Sequence, residues 1–224
     1  MINIAIDGPA GAGKSTIAKS VAKELGYIYV DTGALYRTVG LYVLRQGFDT
    51  KEIGVVTNQL KNINVDLKYI EGAQRVFLNG EDVSEEIRTP EASMAASNVS
   101  AIPSVRNFLF DLQQNIAKNH DCIMDGRDIG TVVLPNAQVK IFLTASAEER
   151  ANRRFKELSE KGTKVDYESV LQEMKQRDYQ DTHREIAPLK PADDSVILDT
   201  SAKSLQEVLI DIKNIVEDKL HVKG

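Results

Sequence analysis

The sequence predicts an α/β fold: a five-stranded parallel sheet with helices on both faces, interrupted once by a small antiparallel β insert. Three observations lead there. Five short apolar runs alternate with stretches of helical periodicity, the rhythm of a doubly wound sheet. A glycine-rich loop, Gly8-Pro9-Ala10-Gly11-Ala12-Gly13-Lys14-Ser15, joins the first run to the first helical stretch. One segment, from Ile63, switches to a period of two.

The first strand is the run from Ile2 to Ile6, and the loop leaving it has the G-x-x-x-x-G-K-[ST] spacing of a phosphate cradle. Its glycines let backbone N–H groups turn inward and approach phosphate oxygens that side chains would block. The helix that follows, Ser15 to Leu25 with Gly26 as its stop, adds the positive end of its dipole at the same point. Lys14 is expected to reach the β- and γ-phosphates and the Ser15 hydroxyl to hold Mg²⁺, so the pattern points to a nucleoside triphosphate. A second strand, Tyr27 to Val30, leads into a helix from Ala34 to Arg45, with Gly47 beyond it. Ile63, Val65, Leu67 and Tyr69 then alternate with polar residues, Glu71-Gly72 marks a turn, Arg75 to Leu78 reads as a strand, and Asn79-Gly80 turns the chain into Asp82-Val83. This insert is expected to form a substrate-side subdomain from Val55 to Pro103. Val105, Phe108, Leu109, Leu112 and Ile116 recur at helical spacing before the third strand, Cys122 to Met124. The fourth and fifth strands are Val139 to Leu143 and Val196 to Leu198. A last helix, Leu205 to Leu220, is expected to carry Leu205, Val208, Leu209, Ile212, Ile215 and Val216 on one stripe.

The chain of 224 residues is long enough for one such domain with an insertion. A formal net charge of −5 argues against a nucleic-acid polymer as the main partner. No stretch has the apolar length of a membrane span, and the N-terminus enters a strand with no signal-peptide pattern. The single Cys122 cannot form an internal disulfide. Together these lead to the expectation of a cytoplasmic protein. Cys122 lies in an apolar run and is expected to be a buried strand residue rather than a reactive thiol. His120, His183 and His221 lack metal-ligand spacing.

A phosphate loop alone does not separate hydrolysis from transfer. Asp31 to Arg37 follows the second strand and Asp125-Gly126-Arg127-Asp128 the third, at strand carboxyl ends where open α/β sheets bind ligands. Arg106 opens the long helix. Arg150, Arg153 and Arg154 share the helix after the fourth strand, with Arg177 and Arg184 downstream. Guanidinium groups in this number suit multiply charged phosphates. Arg150 and Arg153 fit surface ion pairs with Glu148 and Glu149 equally well.

From end to end the chain resembles the bacterial cytidylate kinases, in the nucleoside monophosphate kinase group. The resemblance is carried by Asp7 to Thr16, Asp31-Thr32-Gly33-Ala34-Leu35-Tyr36-Arg37, Gly80-Glu81-Asp82-Val83 with Ile87-Arg88, Asp125-Gly126-Arg127-Asp128-Ile129-Gly130-Thr131-Val132-Val133, Arg177-Asp178 and Ala187-Pro188-Leu189. The Asp125 to Val133 stretch is the most specific. Ser15 stands where some members have Gly, which keeps the usual Mg²⁺ ligand.

The resemblance implies a P-loop kinase fold and ATP-dependent phosphorylation of CMP and dCMP. It implies a core of residues 1–54, 104–146 and 182–224, a monophosphate-binding subdomain of 55–103, and a helical lid of 147–181 that includes the Lys161 to Val165 turn. Gly8 to Thr16 would bind ATP, and Asp125 would join Ser15 at the Mg²⁺ shell. Arg37 and Arg127 would grip the acceptor phosphate, and Arg150 and Arg154 would neutralise the transferring group. Thr32, Tyr36 and Ser97 fall among the CMP contacts, Asp128 and Arg106 read the base, and Arg177, Asp181 and Arg184 approach ribose and phosphate. Lys14, Arg127, Arg150 and Arg154 are the catalytic set. A monomer is expected.

Other phosphate-loop proteins fit less well. A GTPase needs Asn-Lys-x-Asp after a strand, and Lys118-Asn119-His120-Asp121 is a scrambled version placed before one. A shikimate-type kinase has no use for the β insert. A non-catalytic nucleotide sensor needs neither Arg37, Arg127 nor the lid arginines.

Overall fold

The computed structural model describes residues 1–160 and 162–221, and for His221 its backbone. Lys161, the first residue of the expected lid turn, and the His221 side chain lie outside the described residues. In chain order the elements are β1 (Asn3–Asp7), α1 (Lys14–Leu25), β2 (Ile28–Asp31), α2 (Thr32–Arg45), α3 (Ile53–Gln59), β3 (Val65–Ile70), β4 (Ala73–Leu78), β5 (Glu81–Asp82), α4 (Pro90–Ser100), α5 (Pro103–Asn119), β6 (Cys122–Gly126), β7 (Val139–Thr144), α6 (Ala147–Glu160), α7 (Tyr167–His183), β8 (Val196–Asp199) and α8 (Leu205–His221). The chain divides into two compact units, residues 1–29 with 120–224, and residues 30–119.

The first unit is built on the five-stranded sheet, ordered β2-β6-β1-β7-β8; the last two residues of β2 are the first of the second unit. The β1–β6, β1–β7 and β7–β8 pairs run parallel. Central strands in such a sheet are buried on both faces, so they read as unbroken apolar runs. Ile4, Ala5, Ile6, Ile123 and Met124 are all fully buried. Ile17, Val21 and Ala22 of α1 and Val208, Ile212 and Val216 of α8 join Ile4, Ile6, Ile141 and Leu143 in one core. From β1 the strand order runs outward to β6 and β2 on one side and to β7 and β8 on the other. The carboxyl end of β1 is therefore the switch point at which such folds bind ligands. The register pairs Ile6 with Asp125 and Asp7 with Gly126, bringing the end of β6 beside the start of the phosphate loop. Near the chain's far end, Ala151 of α6 packs with Val170, Leu171 and Met174 of α7 in a separate small cluster.

The second unit packs α2 to α5 with a three-stranded antiparallel sheet ordered β3-β4-β5. Both turn signals are realised: Glu71-Gly72 and Asn79-Gly80 all have positive φ, the mirror-image turns that match strand twist. Val65, Val76 and Leu78 face inward onto Leu35, Val39, Val99, Val105 and Leu109. Two helices, α3 and α4, carry no apolar period strong enough to announce them. Helix α4 buries small residues, Ala92, Ala95 and Ala96. It does carry a start signal: the Thr89 hydroxyl accepts from the Ala92 N–H, and Pro90 occupies the first turn. Among the described residues, no helix is long and apolar enough to cross a membrane.

Candidate active site

In the first unit the phosphate loop leaves β1 under tight backbone constraint. A Cβ on Gly8 would lie 2.1 Å from the Leu143 carbonyl oxygen, and its φ is +149°. Helix α1 opens with no acidic residue in its first turn, so nothing there cancels its positive end. Lys14 begins that helix and is buried, its Nζ donating to the Pro9 carbonyl at 2.7 Å across the loop. Burial pushes the Lys14 ammonium down to about 7, and the Arg127 and Arg177 guanidinium groups push the same way against Asp125 and Asp7. An added phosphate would relieve that crowding of positive charge.

Asp125, the penultimate residue of β6, accepts from the Ser15 hydroxyl and from the Tyr29 hydroxyl, each at 2.8 Å and each on its own oxygen. A hydroxyl and a buried carboxylate in contact are the hard oxygen donors Mg²⁺ prefers, and Mg²⁺ takes its other ligands from water and substrate phosphates. Tyr29, which carries no motif signal, is the hidden member of this group. Among the described residues, no three His, Cys, Asp or Glu side chains cluster to hold a metal by themselves.

Beyond β6 the expected acceptor residues form ion pairs. Arg127 Nε donates to Asp181 at 2.8 Å, and Arg184 donates to Asp128 at 3.2 Å and to the Ala187 carbonyl at 2.7 Å. Burial pushes the Asp181 carboxyl up, but the guanidinium groups of Arg127, Arg177 and Arg184 outweigh it and hold it below its ordinary value. Asp7 shows the opposite balance. Burial drives it up to about 6, although it accepts N–H bonds from Gly130 and Ile129.

The two expected lid arginines differ. Arg150 is buried: its Nε donates to the Ala145 carbonyl, and Nη1 to the Ala10 carbonyl of the phosphate loop at 2.9 Å. Its other bonds go to both oxygens of Asp178, at 3.0 and 2.5 Å. Arg150 thus ties α6 to α7 and to the loop. Asp178 is visible in sequence only as the neighbour of Arg177. Arg154 pairs on the surface with Glu157. Arg153 pairs with Glu149, the helix-surface contact its spacing suggests, whereas Glu148 pairs with Lys175 instead.

In the second unit, one carboxylate performs two tasks. Asp31 caps α2 by accepting from the Ala34 N–H, and its other oxygen accepts from Arg37 at 2.8 Å. Arg37 Nε is buried and has no hydrogen-bond partner, a donor suited to an anion. Arg106, in the first turn of α5, donates to the Ser100 carbonyl at 3.4 Å and stands 5.8 Å from the Tyr36 ring centroid. Ser97 lies on α4 one turn before Ser100, whose hydroxyl donates to the Ser97 carbonyl. Thr32, in the first turn of α2, is buried. Cys122 is buried in β6 as expected, its thiol pushed up to about 12 by burial.

Known proteins fit this arrangement. The family model described as cytidylate kinase matches residues 4–218. A protein of Caldicellulosiruptor saccharolyticus named cytidylate kinase is 56% identical over 208 residues, 93% of this chain and 92% of its own. A cytidylate kinase of Thermosipho africanus is 50% identical over 220 residues, covering 98% and 96%. One of Lactobacillus johnsonii is 48% identical over 219 residues, covering 98% and 95%. A solved structure of an uncharacterized protein from Eubacterium ventriosum aligns with a TM-score of 0.52 at 12% identity, over 96% of this chain and 98% of that one. That last likeness is one of fold alone.

Proposed function

Because the chain belongs to the cytidylate kinase family, we propose that it transfers the γ-phosphate of ATP to CMP and dCMP, giving CDP or dCDP and ADP. The observation that carries the reading is the charge cluster at the ends of β1 and β6. There burial first, and the Arg127 and Arg177 guanidinium groups after it, depress Lys14, with Asp125 and Asp181 among these charges. A donor triphosphate and an acceptor monophosphate supply the charge such a cluster needs.

Phosphoryl transfer asks the protein for positioning and charge neutralisation rather than covalent chemistry. The acceptor phosphate oxygen is already ionised near neutral pH, so no general base is required. It attacks the γ-phosphorus, and the bond to the β–γ bridging oxygen breaks. In this reading Lys14 and the amides of Gly8 to Thr16 hold the donor. Mg²⁺, held by Ser15 with Asp125 at its water shell, would supply additional neutralising charge. Arg37 and Arg127 hold the acceptor phosphate. Thr32, Tyr36, Ser97, Arg177, Asp181 and Arg184 complete its contacts. Arg150 and Arg154 neutralise the moving group from a lid of residues 147–181, with 55–103 as the monophosphate-binding part and the rest as core. Lid closure excludes water, which competes as acceptor. Cytosine donates from N4 and accepts at N3 and O2, so Asp128 would accept from N4 and Arg106 donate to the other edge. A cytoplasmic monomer acting on small molecules, with no membrane or nucleic-acid polymer as partner, belongs to the same reading.

ADP release from ATP and Mg²⁺, with CMP, dCMP, UMP, AMP, GMP and shikimate offered separately, tests it. Turnover should be strongest with CMP and dCMP. Turnover with another acceptor would keep a kinase and discard the base assignment, and ATP binding with no acceptor-dependent turnover would discard the kinase.

A further inference from the structure

Residues Ile129–Val133 form one five-residue helical turn between β6 and β7, with Asp128 immediately before it. The first N–H groups of any helical turn lack internal partners. An Asp in that preceding position ordinarily accepts them with its own side chain. Asp128 makes no such bond. Its carboxylate instead accepts from Arg184, while its carbonyl oxygen accepts from the N–H groups of Val132 and Val133. The first two N–H donors of the turn go to a residue more than a hundred positions away. Asp7 Oδ1 accepts from the Ile129 N–H at 2.8 Å and Oδ2 from the Gly130 N–H at 2.7 Å.

The geometry points to Asp7 as a positioning residue for acceptor choice: by occupying the two amides, it keeps the Asp128 carboxylate out of the cap and available to the acceptor base. This rests on the reading of Asp128 as the group that accepts from cytosine N4. Three features favour it over a merely structural contact. Each amide is met by its own carboxylate oxygen, whereas an Asn in that place would turn an NH₂ donor toward one of them. The anchor is rigid, since Asp7 ends the central strand, paired with β6 on one side and β7 on the other. Asp7 also directly precedes Gly8, so the donor loop and the acceptor-reading turn hang from one residue. Without its carboxylate, the Gly130 N–H would be open to the side chain of Asp128, the acceptor that the preceding position ordinarily supplies.

The test compares Asp7→Asn, Asp128→Asn and the double variant, reading kcat/KM for CMP and UMP, and ATP affinity by calorimetry without acceptor. The expected result is a CMP/UMP ratio lowered at least about fivefold in Asp7→Asn, the scale of a lost helix cap, with ATP affinity within about twofold of the parent. In the Asp128→Asn background, Asp7→Asn should lower the ratio no further. An unchanged ratio in Asp7→Asn beside a lowered one in Asp128→Asn overturns the positioning role and leaves the base reading intact. An unchanged ratio in Asp128→Asn removes the base reading, and this proposal with it. Equal losses of ATP affinity and of the ratio would make Asp7 a residue of the donor loop and overturn the proposal. Should Asp7→Asn not fold, Gly130→Ala decides in its place: the added Cβ would sit 3.2 Å from Lys140 Cδ, a flexible stem that can yield, and 3.3 Å from Asp7 Oδ2, so it presses on the same contact. It should lower the ratio in the same direction, and an unchanged ratio there overturns the proposal.

Discussion

Asp7 sets burial against hydrogen bonding, and burial wins: its carboxyl rises from 3.8 to about 6 despite two backbone donors and Lys14. The folded protein therefore holds this proton more tightly than the unfolded chain does. The stabilisation this provides is complete below about pH 4 and is lost as the pH rises through 6. Denaturant unfolding of the parent and of Asp7→Asn from pH 4 to 7 should show the parent losing stability relative to the variant as the pH rises. Parallel curves would contradict the shift. In the proposed reading Asp128 bears on specificity instead. Its replacement by Asn puts a donor where cytosine N4 also donates, and an unmatched buried group costs about 1–3 kcal/mol. The CMP/UMP ratio in kcat/KM should fall accordingly, and a ratio equal to the parent's would remove Asp128 from base reading. Motif spacing singles out Lys14, Ser15, Arg127 and Asp128. It does not show that Tyr29 holds Asp125 or that Asp178 holds Arg150, because those partners come from other elements and carry no spacing of their own.

Helices α2 and α4 pack at a contact that leaves no room for a side chain. A Cβ on Gly40 would lie 2.7 Å from the Ala95 Cβ and 3.1 Å from the Ala95 carbonyl carbon. Gly40→Ala gains up to about 1 kcal/mol in helix propensity, but overpacking a well-filled contact costs about 1–3 kcal/mol. The clash should win, since one of the crowded atoms is backbone, and α2 and α4 should shift apart. These helices carry Tyr36, Arg37 and Ser97, so KM for CMP should rise with a lower melting temperature. A Gly40→Ala protein as stable as the parent would show that the helices yield easily. The same contact explains why α4 escapes a search for apolar periodicity: it packs with Ala and Ser, which such a search discounts. Its Thr89-Pro90 start was the legible part. The short turn at 129–133 is hidden for another reason. Ile-Gly-Thr-Val-Val carries no helical period, and the turn is held by backbone bonds to the Asp128 carbonyl together with the distant Asp7 carboxylate.

At the scale of the whole molecule, the proposed reading draws its acceptor-phosphate arginines from both stretches of chain, Arg37 from residues 30–119 and Arg127 from residues 120–224. If both hold one phosphate, CMP stabilises the entire chain rather than one part. At a hundredfold excess over Kd this amounts to about 2.7 kcal/mol, or roughly 5–10 °C in melting temperature for a chain of this size. Arg37→Ala and Arg127→Ala should each remove most of the shift at the same CMP concentration, because a hydrogen bond to a charged group is worth about 1.5–3 kcal/mol. Loss in one variant only would assign the phosphate to a single unit.

The sequence by itself determined the sheet, the donor loop, the insert with both its turns, and the identity of the charged residues. Those features are local: periodicity, glycine placement and loop spacing act within a few residues of one another. Tertiary structure decided which charges neutralise which. The spacing of Arg150 does not reveal that it is buried and donates to Ala10, Ala145 and Asp178. Asp7 reads as the residue before a loop, yet it caps a turn 122 positions away. Burial and long-range hydrogen bonding assign these partners, and neither leaves a mark on the spacing of the chain.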